Sequence, residues 1–264
     1  MGETTQNKVA IITGGATGIG RQVATKLASL GINIVLAGRN KQSGDAAAAE
    51  IAGGGAKVIF VQTDVSRESD VINLVEATIS RFGRIDYLFN NAGVEGAMGP
   101  IEINTEQVVD EVLAANVKGV FLCTKHVIPG MIKQHGGIIV NVSSFVGTII
   151  PFGTAIIYGA SKAAVLSMTQ STAAGFAEQN INVFAVCPWV TDTPMIDRLT
   201  GFQPEAKAGF GGSINPSGTI ALPEDIAAAV ADIFSGENKT IKSGEAILVD
   251  RGGSINKIVP MGIA

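Results

Sequence analysis

Val9-Ala10-Ile11-Ile12-Thr13-Gly14-Gly15-Ala16-Thr17-Gly18-Ile19-Gly20 passes from five apolar and β-branched residues directly into a glycine-rich turn. A helical pattern follows at once. Glycines at such a junction let the backbone turn sharply and approach a pyrophosphate closely, and the next helix offers unpaired N–H groups and a partial positive charge. A glycine trio alone is weak information. Placed between a first strand and a first helix, it sits where phosphate binding requires it. The spacing Gly14-x-x-x-Gly18-x-Gly20 differs from the more familiar G-x-G-x-x-G.

Outward from this segment, short apolar runs recur at Asn33–Ala37, Lys57–Gln62, Tyr87–Asn90, Gly137–Val142, Asn182–Val186 and Ala246–Val249. Several are almost wholly apolar, as expected for strands covered on both faces. Helical patterns lie between them, at Ile19–Leu30, Gln42–Ile51, Glu68–Phe82, Glu106–Ile132, Ile157–Glu178 and Glu224–Ser235. This alternation predicts an α/β fold: a doubly wound, Rossmann-like, seven-stranded parallel sheet with helices on both faces. No linker divides residues 1–264, so one domain is expected. The glycine- and proline-rich segment from about 194 to 222 leaves the sixth strand, where it would cover the crevice as a substrate lid.

Composition narrows the function. Of 264 residues, 46% are hydrophobic and 16% charged, which argues against extended disorder. The 19 basic and 23 acidic residues leave a net charge of −4 with no basic cluster, which argues against nucleic acid as a partner. Cys123 and Cys187 are isolated, as are His126 and His135, so no metal site is expected. The N-terminal MGETTQNK has no apolar core of a signal peptide, and no run is long enough to span a bilayer. A cytoplasmic protein without membrane attachment is the expectation.

Tyr158-Gly159-Ala160-Ser161-Lys162 places a phenol and an ammonium one helical turn apart, on one face. A free tyrosine titrates near ~10, and a nearby cation favours its phenolate. Bringing it to about 7 takes roughly 4 kcal/mol, which an ammonium plus a bound cationic ring could supply in a sheltered site. Asn141-Val142-Ser143-Ser144 ends the fifth strand upstream; alternation of side chains along a strand directs only one of the two serines to the site.

Jointly these motifs make the chain resemble the short-chain dehydrogenase/reductase family, in its main branch of about 250 residues. Thr13–Gly20 is similar to that family's T-G-x-x-x-G-x-G, Asn90-Asn91-Ala92-Gly93 to its N-N-A-G, and Asp64-Val65 to its adenine-contacting pair. Leu222-Pro223-Glu224-Asp225-Ile226-Ala227 and Val249-Asp250 resemble its C-terminal landmarks. Ser144-Phe145-Val146-Gly147 resembles its S-x-x-G, which favours Ser144 over Ser143, and Asn116-Val117-Lys118-Gly119 its N-x-x-G. The resemblance implies a catalytic set of Asn116, Ser144, Tyr158 and Lys162. Tyr158 would exchange a proton with the substrate oxygen, and Ser144 would polarise the carbonyl. Lys162 would lower the Tyr158 pKa and hold the nicotinamide ribose, while Asn116 would anchor a water. It also implies cofactor contacts at Gly14, Thr17, Gly18, Ile19, Gly20, Asp64, Val65, Asn91, Ala92, Gly93, Tyr158, Lys162, Pro188 and Thr193.

The second strand ends Ala37-Gly38-Arg39. No carboxylate stands where one would bond the adenosine ribose, and Arg39 suits a 2′-phosphate, so NADP is expected over NAD. Thr17 counts the other way, because many NADP-using relatives carry a basic residue there. Where the family has Pro-Gly after its sixth strand, this chain has Pro188-Trp189, and the indole should reshape the pocket unless it turns outward. Ile149, Ile150, Phe152, Trp189, Met195, Phe202 and Phe210 are candidate pocket residues, suited to a hydrophobic ketone or secondary alcohol. Ala163, Ala164, Ser167, Ser171 and Ala174 give the helix after Tyr158 a small-residue face, and relatives commonly form tetramers through it, so a homotetramer is expected. The rival expectations are a 3-oxoacyl-thioester reductase and a non-catalytic nucleotide sensor. Four intact catalytic positions count against the second.

Overall fold

A computed structural model describes residues 7–52, 56–207, 209, 220–236 and 240–250. Seven strands form one sheet: β1 (Val9–Thr13), β2 (Asn33–Gly38), β3 (Val58–Gln62), β4 (Tyr87–Asn90), β5 (Gly137–Val142), β6 (Ile181–Pro188) and β7 (Ala246–Val249). Their spatial order is β3-β2-β1-β4-β5-β6-β7, and every pairing is parallel. The chain works outward from β1 to β3, then returns to lay β4 against the other side of β1. That reversal splays the connections leaving β1 and β4 in opposite directions and opens a crevice beyond their carboxyl ends.

The helices are α1 (Gly18–Ser29), α2 (Lys41–Ile51), α3 (Glu68–Phe82), α4 (Glu106–Leu113), α5 (Gly119–Lys133), α6 (Ile156–Gly175), α7 (Pro194–Leu199) and α8 (Pro223–Ser235). Alternate residues of β1 serve opposite layers. Ala10 and Ile12 pack with Val23 and Leu27 of α1 and Val230 and Phe234 of α8. Val9 and Ile11 pack with Leu74 of α3 and Leu122, Val127 and Met131 of α5. Strands buried on both faces explain the near-continuous apolar runs in the sequence.

Local chemistry sets the element ends. The Asn40 side chain accepts from Ser43 N at 3.0 Å to cap α2, and Thr105 accepts from Val108 N at 3.4 Å to cap α4. Gly83 and Gly236 close α3 and α8 in the left-handed conformation, at φ 77° and 67°. The helix expected over Glu106–Ile132 is interrupted: a π turn at Ala114–Lys118 separates α4 from α5. Periodicity does not reveal that extra residue in the turn, and such bulges often mark functional positions.

Asp86 fastens the start of β4 to the sheet. It is 4% exposed, accepts from Val9 N at 2.9 Å and from Arg84 Nε at 2.7 Å, and lies 3.3 Å from Lys8 Nζ. Asp86→Ala strips partners from a buried backbone N–H and two cations. A loss of about 2–3 kcal/mol is expected in chemical denaturation.

Candidate active site

Thr13 and Asn91 lock the glycine turn to the segment leaving β4. Thr13 Oγ1 accepts from Asn91 N and Ala92 N, both at 3.0 Å, and Asn91 Nδ2 donates to Thr13 O at 3.0 Å and Gly14 O at 3.2 Å. Gly14 holds φ +63°, and a Cβ on Gly20 would sit 2.4 Å from Gly14 O. Neither position has room for a side chain. Thr17 at the N-terminus of α1 makes no side-chain cap bond, unlike the cap residues of α2 and α4, and the first turn of α1 has no acidic residue. The first N–H groups of α1 therefore keep their capacity for an anion, which fits a pyrophosphate. Thr13 was not singled out from sequence as a site residue; a threonine at a strand end carries no signal until its partners are known.

Gly14, Thr17, Gly18 and Ile19 line one end of a cavity of about 350 Å³, together with Asn91, Ala92 and Gly93. Its other end holds Ser144, Tyr158, Lys162, Pro188 and Thr193. Two further expected cofactor positions, Arg39 and Asp64, line a separate polar depression with Gln62 and Arg67. Val65 is buried beneath α5, where a Cβ on Gly119 would meet its Cγ2 at 2.6 Å, and Gly20 lies behind the glycine turn.

The two serines part company. Ser143 Oγ donates to Lys162 O at 2.8 Å and so fixes α6 to the end of β5. Ser144 Oγ accepts from Val146 N at 3.2 Å and faces the Tyr158 phenol, whose pKa it lowers. Lys162 is 4% exposed; its Nζ donates to Val142 O at 2.9 Å and stands over the Tyr158 ring, 5.5 Å from the centroid. Asn116, in the π turn, is fully buried: Oδ1 accepts from Val94 N at 2.8 Å, and Nδ2 donates to Val94 O at 2.9 Å and Ser161 Oγ at 3.0 Å. A Cβ on Gly93 would meet Asn116 Oδ1 at 3.0 Å and Lys162 Nζ at 3.6 Å, so Gly93, Asn116 and Lys162 share one corner.

Within the protein alone the electrostatics run opposite to the sequence expectation for Tyr158. Burial pushes its phenol up to about 12; the Ser144 contact opposes this, and the Glu95 carboxylate adds to it. Burial also brings Lys162 down to about 8. Desolvation thus penalises both charged forms, and for the phenol it outweighs the opposing Ser144 contact.

The remaining wall is apolar and includes Met98, Phe145, Phe152, Trp189, Met195 and Leu199. Trp189 turns inward: it is 2% exposed and stacks on Phe145, with ring centroids 4.3 Å apart. Ile149 and Phe202 are exposed outside the cavity, and Ile150 packs against the cluster around Phe145. Phe202, beyond the C-cap of α7, holds φ +60° and its ring is exposed. Phe210 lies outside the described residues, as do 208 and 211–219 of the expected lid. Among the described residues no cluster of three or more His, Cys, Asp or Glu is placed to hold a metal, and no helix is long and apolar enough to cross a membrane.

The buried ammonium has a measurable signature. An unfolded lysine binds its proton up to about 10.5 and the folded one only to about 8, so the folded state forfeits roughly 3 kcal/mol below pH 8. That deficit closes as pH rises between the two values. Lys162→Met is expected to raise the melting temperature at pH 7 while abolishing turnover. Its advantage over the parent should shrink between about pH 8 and 10.5 in thermal scans.

A family model described as short chain dehydrogenase matches residues 8–203. Cyclopentanol dehydrogenase of Comamonas sp. (strain NCIMB 9872) is 36% identical over 250 residues, covering 95% of this chain and 98% of the relative. The 3-oxoacyl-[acyl-carrier-protein] reductase of Thermotoga maritima is 36% identical, covering 94% and 98%. The crystal structure of levodione reductase superposes with a TM-score of 0.88 at 33% identity, covering 95% of this chain and 99% of that one. That of 3-ketoacyl-(acyl-carrier-protein) reductase from Brucella melitensis, complexed with NADH, superposes at 0.85 with 34% identity and 94% and 99% coverage. With the glycine turn, the parallel sheet and these matches in agreement over nearly the full length, the chain belongs to the short chain dehydrogenase family of oxidoreductases.

Proposed function

We propose that the protein interconverts an apolar ketone and the corresponding secondary alcohol, with NADP(H) as the preferred cofactor. One observation carries this reading: Ser144, Tyr158 and Lys162 meet an apolar cavity that is continuous with the glycine turn. The nicotinamide, when bound, supplies or accepts the hydride. Tyr158 passes a proton to or from the substrate oxygen, and Ser144 donates a hydrogen bond to that oxygen. Lys162 holds the nicotinamide ribose hydroxyls. The phenol starts from about 12, so its activation depends on positive charge arriving with the oxidised ring as well as on Lys162. Asn116 would anchor a water that refills the proton path, and Thr193, which lines the cavity with Pro188, would bond the carboxamide.

Arg39 supports NADP because its side chain is exposed in the polar depression and makes no ion pair within 4 Å among the described residues. NAD stays a candidate, since the Brucella melitensis relative was solved with NADH. A 3-oxoacyl-thioester reductase is the second reading, favoured by two relatives of that name. We read residues 1–264 as one domain, with α7 as the described part of a lid, because Met195 and Leu199 roof the cavity. We also read the protein as a cytoplasmic homotetramer. Ala163, Ser167, Ser171 and Ala174 leave an exposed small-residue face on α6 where a second helix could approach closely.

A panel of ketones and alcohols, followed at the nicotinamide absorbance with both cofactors, tests this reading. Turnover of apolar members is expected, with Tyr158→Phe lowering kcat by about a hundredfold or more. No turnover of any member would remove the proposal. Arg39→Asp is expected to shift the kcat/KM ratio from NADPH toward NADH; an unchanged ratio would take the NADP preference with it.

A further inference from the structure

Glu95 lies in the segment leaving β4, and Arg198 lies in α7 and lines the cavity. Arg198 Nε donates to Glu95 Oε1 at 2.8 Å and Nη2 to Oε2 at 3.0 Å, a two-pronged contact between residues 103 apart in the chain. The Glu95 side chain is 15% exposed. Arg198 and Lys162 are the only basic side chains in the cavity wall among the described residues. Lys162 is committed to Val142 O deep in the site. On the outer side of α7, Lys207 is shared between Asp192 and Asp197. Any carboxylate entering this cavity therefore has Arg198 as its natural partner, and Glu95 already occupies the Nε–Nη2 edge of that guanidinium and neutralises its charge.

We propose that the Glu95–Arg198 pair sets the charge of the substrate: closed, it restricts the cavity to uncharged ketones and alcohols, and with Glu95 neutralised the cavity accepts carboxylate-bearing ones. The inference rests on the ketone–alcohol reading above and deepens it. A carboxylate substrate would approach the Glu95 charge and find a guanidinium already neutralised along its Nε–Nη2 edge, and both cost affinity. The influence of Glu95 extends to the reacting end, since its charge is felt at Tyr158. An apolar substrate incurs neither cost, and the wall of Met98, Phe152, Trp189, Met195 and Leu199 suits it.

The test compares cyclohexanone with 4-oxocyclohexanecarboxylate, the same ring with and without the charge, in the parent and in Glu95→Gln. The parent should prefer the neutral ring by about tenfold or more in kcat/KM, and Glu95→Gln should shift that ratio about tenfold toward the carboxylate, through KM. Added salt should weaken the gain. Glu95→Gln combined with Arg198→Met should abolish it. If the pair merely clasped α7 over the cavity, both rings would change together and the ratio would stay constant, which overturns the inference. So does a parent enzyme that takes both rings equally well.

Calorimetric titration of cyclohexanecarboxylate into each variant needs no turnover. Tighter binding to Glu95→Gln than to the parent and to the double variant is expected; equal binding overturns the inference. Absence of turnover in the parent would fall on the redox reading instead, and the titration would still decide this one.

Discussion

Close approach between the turn after β1 and the segment after β4 is the constraint on which the site depends. Gly14 O, Gly20 and the Asn91 amide meet within ordinary contact distance only because no side chain intervenes. Thr13 then holds two successive N–H groups of the facing segment with a single hydroxyl. The contact lies where the strand order reverses, so the same geometry that opens the crevice also furnishes its floor. The candidate catalytic residues are arranged relative to this floor. Gly93 brings the β4 segment up to Asn116 and Lys162, and Ser143 ties Lys162 back to β5.

The chemical end stores an electrostatic tension. A neutral phenol and a lysine of depressed pKa are both held out of water, each in the form that costs least. Such a pair is poised rather than activated. In the proposed mechanism a cationic ring beside it would change which protonation state is favoured, which would link cofactor binding to proton transfer. The buried network of Asn90, Asn141 and Thr169 provides a stiff backing, with Asn90 Nδ2 donating to Asn141 Oδ1 at 2.9 Å and Asn141 Nδ2 to Thr169 Oγ1 at 2.9 Å. Polar side chains inside a sheet–helix interface hold α6, and therefore Tyr158, in a fixed register with β5.

Strand positions were legible in the sequence because runs buried on both faces carry a strong signal, and six helices were legible from their period. The division of Glu106–Ile132 was not, since a single π turn preserves helical composition while rotating the following face. Local motifs located the glycine turn, Ser144, Tyr158 and Lys162. They did not foresee the raised phenol pKa, because desolvation depends on what packs around Tyr158 and not on its neighbours in sequence. Nor could they show Trp189 stacking on Phe145, or Arg198 facing Glu95 across more than a hundred residues. Ile149 and Phe202 were candidate pocket residues by position, yet both are exposed.

The strand order also bears on how the molecule assembles. β4 reaches β1 only after two outer strands and three helices have been laid down, so the glycine turn waits for Asn91, 77 positions further along the chain. A chain emerging from the ribosome as far as α3 already displays the whole glycine motif and the bonds from Gly14 N and Gly15 N to Ala37 O, but not the Asn91 contacts that complete its shape. Nucleotide affinity is in this sense a late product of non-local pairing, acquired when the halves of the sheet join.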